Sequence, residues 1–88
     1  MKSTESLIEY PSDFPIKVMG KTHPEFRPAV IHICQQFDPQ FNLSLVEERP
    51  SKGGNYLGLT VIIRATSREQ LDELYRTLST HPMVGVVL

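Results

Sequence analysis

The side chains able to do metal or nucleophilic chemistry are few: one cysteine, Cys34, and three histidines, His23, His32 and His81. His32 and Cys34 lie two apart in a segment of helical periodicity, where their directions differ by about 200°, so they do not share a metal. A nucleophilic thiol needs a base and an electropositive setting. Cys34 instead neighbours an apolar stripe and reads as a small core residue. Ser51-Lys52-Gly53-Gly54 lacks the Lys-Ser or Lys-Thr ending of a phosphate-cradling loop and leads into a strand, so it reads as a turn. The better small-anion candidate is Gly20 to Glu25, where a strand feeds a helix and freed backbone N–H groups lie near Lys17 and Lys21. Glu25 competes for those amides, and a capped helix start with two solvated lysines is the simpler reading. No nucleophile, base and oxyanion donor can be assembled from these positions. The sequence therefore predicts a non-enzymatic protein with no metal and no cofactor.

The elements that must position these groups belong to a small domain. With 88 residues, 40% of them hydrophobic, the chain can bury roughly 60–65% of the surface its unfolded form exposes. A net charge of −1 supplies no drive towards a polyphosphate backbone or an anionic membrane, so nucleic acid is disfavoured and no membrane is expected. A single cysteine forms no intrachain disulfide and fits a reducing compartment. The only consecutive apolar pair in the first ten residues is Leu7-Ile8, too short for a signal-peptide core. A cytoplasmic location follows.

Residues 1–14 read as a tail, anchored where Leu7, Ile8, Tyr10 and Phe14 fold back around Pro11, Ser12 and Asp13. Residues 15–88 form the domain. Ile16 to Gly20 suits a short strand. Thr22 and Glu25 have capping-box spacing with Pro24 in the first turn, which starts a helix near His23. Its stripe is Phe26, Val30, Ile33 and Phe37, and Pro28 is its misfit. Leu43 and Leu45 alternate with polar neighbours before Glu47, Glu48 and Arg49, which predicts an edge strand. Pro50 to Asn55 is a hairpin connection, and Gly54 to Ala65 contains the long central strand. Ser67 to Gln70 opens a second helix with Leu71, Leu74, Tyr75 and Leu78 on one face. Met83 to Leu88 is the last strand.

This order predicts an α+β ferredoxin-like two-layer sandwich, βαββαβ, with a four-stranded antiparallel sheet and two helices on one face. The opposite sheet face then carries Lys17, Tyr56, Ile62, Arg64, Met83 and Val87, with Met19, Gly58, Thr60 and Gly85. An apolar patch left in water marks a partner surface, so a protein partner or self-association is expected there. Three families share the strand order but not the chemistry. Metal-carrying domains need paired cysteines where Met19-Gly20-Lys21-Thr22 stands. Acylphosphatases need an arginine absent between Ile16 and Glu25. RNA-recognition domains stack bases on aromatic residues of the first and third strands, and only Tyr56 is present. A single-stranded nucleic-acid binder using Tyr56, Lys17, Lys52 and Arg64 is the alternative function.

From Leu7 onward the chain resembles the YbeD-like family of small bacterial proteins. The residues that carry this are Tyr10-Pro11 with Phe14, Lys17-Val18-Met19-Gly20, Pro24-Glu25, Ser51-Lys52-Gly53, Asn55-Tyr56, Ala65-Thr66, Leu74-Tyr75 and Val87-Leu88; Gly54 and Pro28 depart from the pattern. The resemblance implies a ferredoxin-like fold similar to ACT-type regulatory domains, a regulatory role, and a link to lipoate or glycine-related metabolism. ACT domains bind small effectors near a glycine between their first strand and helix. By that resemblance Met19, Gly20, Lys21 and Thr22 are the effector-binding residues.

Overall fold

A computed structural model describes residues 9–88 of the chain. Strand β1 spans Ser12–Lys21 and helix α1 Phe26–Phe37, followed by a 3-10 turn at Leu43–Leu45. Strand β2 spans Glu47–Pro50, β3 Tyr56–Ala65, helix α2 Arg68–Ser79 and β4 Val86–Val87. The sheet is antiparallel in the order β2-β3-β1-β4, the ferredoxin-like topology the element order predicts.

The core lies between the sheet and the helices. Ile16 and Val18 of β1 and Leu57, Leu59, Val61 and Ile63 of β3 point inward at every second position. They meet Phe26, Val30, Ile33 and Cys34 of α1 and Leu74 and Leu78 of α2. Each such side chain taken fully out of water stabilises the fold by about 1.5–3 kcal/mol. Phe37 and Tyr75 complete the two helical stripes half-buried.

Several element ends differ from the sequence reading. β1 starts at Ser12 rather than Ile16, because β3 is long enough to pair every residue from Ser12 (with Ala65) to Lys21 (with Tyr56). Ser12, Asp13 and Phe14 are therefore strand, not tail; the expected anchors Leu7 and Ile8 lie outside the described residues. Pro15 is tolerated inside β1 for a backbone reason. Lys17 exchanges both of its hydrogen bonds with Leu88 on the β4 side, and alternation aims residue 15 to that side too, beyond the end of β4.

Helix α1 starts at Phe26, not near His23, and its N-cap Glu25 makes no side-chain cap. Thr22 is drawn away from capping. Its hydroxyl donates to the Gly54 carbonyl at 2.7 Å and its N–H to the Asn55 carbonyl at 3.0 Å, which ties β1 to the β2–β3 hairpin. The later start removes the misfit of Pro28. It is the third helical residue, where the N–H has no intrahelical partner to lose.

Leu43 and Leu45 are not strand residues. Asn42 Oδ1 accepts the Ser44 N–H at 3.0 Å and bends the chain into the 3-10 turn, a local alternative to extended backbone that Asn offers readily. The strand is instead Glu47–Pro50, exposed throughout as an edge. β4 is likewise shorter than Met83–Leu88. The Met83 N–H donates to His81 Nδ1 and the Val84 N–H to the His81 carbonyl, so both residues are held in a turn.

Helix α2 is capped as its sequence predicts at one end of the box: Ser67 Oγ accepts the Gln70 N–H at 3.0 Å. Gln70 reaches back to the Thr66 N–H rather than to that of Ser67, and donates to the Phe37 and Arg64 carbonyls. It thereby joins the end of α1 to the end of β3. Buried Asp38 works in the same corner, accepting the Gln40 N–H at 3.1 Å with Oδ1 and the Arg64 N–H at 3.0 Å with Oδ2.

Candidate functional site

No described element covers the sheet face opposite the helices, and register fixes what it displays. Residues paired across strands share a face, so the outward side chains fall into rows. Lys21 stands beside Tyr56. The next row runs Val86, Met19, Gly58, Arg49, and the next Lys17, Thr60, Glu47, with Leu88 bonded to Lys17 at the β4 side. Beyond them come Pro15 beside Ile62 and Asp13 beside Arg64. The face is thus mixed: Met19, Tyr56, Ile62 and Val86 are apolar ground between charges. Tyr56 is 54% exposed and Val86 47%.

Arg64 is engaged by Asp13 at 3.3 Å, an exposed pair worth about 0–1 kcal/mol. Among the described residues Lys17, Lys21 and Arg49 have no ion-pair partner. Two concavities of ≈ 650 Å³ each indent the surface around Met19 and Tyr56, which line both. One lies over β2 and β3, with Gly58 and Thr60 between Lys17 and Arg49. The other lies at the end of β1, where Gly20, Lys21, Thr22 and His23 face Pro82 to Val86.

Met19, Gly20, Lys21 and Thr22 all line this second concavity, but they differ in what they offer. Gly20 is accounted for by packing: a Cβ there would overlap the Met83 carbonyl oxygen and come within 2.7 Å of Phe26 Cε1. The Thr22 hydroxyl is committed to Gly54. Met19 and Lys21 remain to meet a ligand. Lys17, Tyr56, Ile62 and Arg64 lie on the open face. Val87 does not. It pairs with Val18 and packs against the core, because the turn after His81 delays β4 and gives Val86 the outward position. Met83 also leaves the face, half-buried against the core at the rim of the second concavity.

The sequence reading missed Arg49 and Glu47 on this face because it placed the second strand too early. Their signal was Pro50: if the hairpin begins there, the residues just before it must oppose those just after Asn55. Cys34 is fully buried, and its thiol is pushed up to about 12, first by burial and then by the nearby Asp38 charge. It remains protonated and unreactive at neutral pH. Among the described residues no group of three or more His, Cys, Asp or Glu could hold a metal ion, and no helix is long and apolar enough to cross a membrane.

Comparison with known proteins adds the family. The family model described as "Protein of unknown function (DUF493)" matches residues 5–88. The chain belongs to this family. It is 69% identical over 84 residues to a UPF0250 protein of Ralstonia nicotianae, covering 96% of this chain and 87% of that one. It is 70% identical over 84 residues to a UPF0250 protein of Bordetella pertussis, covering 96% and 92%. These are relatives of the YbeD-like resemblance seen in the sequence. Among solved structures, the C-terminal domain of the MgtC protein from Mycobacterium tuberculosis superposes with a TM-score of 0.61, covering 86% of this chain and 82% of that domain. At 19% identity the likeness is one of fold.

Proposed function

We propose that this chain is a small, non-enzymatic, cytoplasmic regulatory or protein-interaction module that acts through the open sheet face. One observation carries the reading. A sheet with helices on a single side leaves the exposed Tyr56 and Val86 and the half-buried Met19 and Ile62 beside Lys17, Lys21 and Arg49, which have no ion-pair partner among the described residues. Apolar ground rimmed by charge is the usual make-up of a surface built to be covered. The second concavity suits the ACT-like effector role: a mostly apolar hollow with Lys21 at its rim takes a small amphipathic molecule such as an amino acid.

Titrating an amino-acid panel into ¹⁵N-labelled protein tests the effector role, with shifts expected at Met19 to Thr22 and Met83 to Val86. Silence there removes that role. Light scattering and binding to candidate partners test the face itself; a monomer that binds none of them counts against it. The alternative, single-stranded nucleic acid stacking on Tyr56, is told apart by salt, since phosphate contacts weaken steeply with ionic strength.

A further inference from the structure

We infer that residues 81–88 form a strap that undocks from β1 as one unit while the rest of the fold stays intact, and that its docking completes the second concavity; the latter half rests on the effector reading of that hollow. The strap has a built seat. Gly20 lacks a Cβ where the Met83 carbonyl oxygen lies against it. The Gly85 N–H donates to the Met19 carbonyl at 2.7 Å, and Lys17 and Leu88 exchange hydrogen bonds of 3.1 and 2.8 Å. The strap also keeps a shape of its own, since His81 accepts the Met83 N–H on Nδ1 and the Val84 N–H on its carbonyl. These two bonds travel with it.

What holds the strap to its seat is slight. Its ladder with β1 is two residues long. None of residues 79–88 is fully buried, whereas β1 from Ile16 to Gly20 and β3 from Leu57 to Ala65 bury every second residue. Met83, Val84 and Val87 only lean on the core half-buried, and the Tyr75 hydroxyl reaches the Leu88 carbonyl at 3.5 Å. A segment with few buried apolar contacts and solvent-facing backbone bonds opens well below the free energy of global unfolding. Its hinge is the exposed C-cap Thr80, just before the bond from the His81 N–H to the Leu78 carbonyl.

Opening moves one wall of the second concavity. Met19 to Thr22 form the β1 side and Pro82 to Val86 the other, so a molecule held between them meets both only while the strap is docked. Such a molecule favours the docked state by mass action. Occupancy of the hollow thereby decides whether the backbone groups of Lys17 and Met19 are covered or free.

Amide hydrogen exchange of the whole 88-residue chain tests this. The Lys17 N–H faces Leu88, while its neighbours Ile16 and Val18 face β3 by the alternation of an antiparallel strand. After correction for intrinsic rates, Lys17, Gly85 and Leu88 should share one protection factor, about a hundredfold or more below that of Ile16 and Val18. Gly85→Pro, which removes the donor to Met19, should lower protection at Lys17 and Leu88 further and leave Val18 protected. An amino acid that shifts the signals of the hollow should raise the shared factor with its occupancy. Protection at Lys17 equal to that at Val18 overturns the strap. So does fast exchange at Lys17 and Leu88 with Gly85 as slow as Val18, which is fraying of the last residue alone. A molecule that fills the hollow without slowing Lys17 overturns the coupling and leaves the effector reading in place. A panel that binds nowhere removes the effector reading and the coupling with it, and the exchange pattern still decides the strap.

Discussion

Adding the same methyl group at Gly20 and at Gly58 should have opposite effects on stability. At Gly20 the new Cβ overlaps the Met83 carbonyl oxygen and lies 2.7 Å from Phe26 Cε1. Relief requires the turn before β4 to lift from β1, or the fully buried Phe26 to leave its place. Overpacking of this kind costs typically 1–3 kcal/mol, and a backbone obstacle that cannot swing aside places Gly20→Ala at about 2–3 kcal/mol. A domain of this size has only about 4–13 kcal/mol in all. At Gly58 both contacts are 3.6 Å, so Gly58→Ala should be neutral or stabilise by about 0.5–1 kcal/mol through the restricted unfolded chain. Urea unfolding separates the two. With a slope of about 1 kcal/mol/M, the midpoint of Gly20→Ala should drop by about 2 M, while that of Gly58→Ala stays or rises. Equal midpoints for the two variants would refute the reasoning, since backbone entropy alone would then govern both sites.

Asp38→Ala should destabilise by about 2–4 kcal/mol, because it strips a charged acceptor from two backbone N–H groups; Asp38→Asn should recover part of this, as read by urea unfolding. Cys34 should resist a thiol reagent until the protein unfolds. Burial pushes its thiol up to about 12 in the fold against 9.0 for a free cysteine, so above pH 9 the unfolded chain binds fewer protons than the native one. Stability should then fall with pH by up to about 1.4 kcal/mol per unit between those values, and Cys34→Ala should remove that slope relative to the parent. Arg27→Ala should change stability by less than about 1 kcal/mol, because its pair with Glu48 at 3.1 Å is well exposed and such pairs contribute little.

The layer order was legible because the periodicities were: Leu71, Leu74, Tyr75 and Leu78 can only be one face of a helix, and Leu57 to Ile63 alternate as a strand must. Apart from the early start of β1, which follows from the length of β3, the misplacements share one physical cause, namely polar side chains that bond the nearby backbone in place of the regular ladder. Asn42 turned Leu43 and Leu45 out of β2, His81 held Met83 and Val84 out of β4, and Thr22 went to the hairpin instead of the helix. Each shift propagates through register. Delaying β4 sends Val87 inward and Val86 outward, and moving β2 brings Arg49 beside Gly58. Of the candidate site, the open face could be read from topology alone. The difference between Gly20, closed by packing, and Gly58, with room for a Cβ, could not, since it lies in distances to Met83, Phe26, Arg49 and Met19.

The central claim is that the sheet face opposite the helices is free for a partner. Its most direct test is relaxation of methyl signals by a soluble paramagnetic agent in the whole 88-residue chain. Met19, Ile62 and Val86 should be strongly relaxed while Val18, Leu59 and Val61 are protected. Protection of Met19 and Ile62 equal to that of the core methyls would contradict the account.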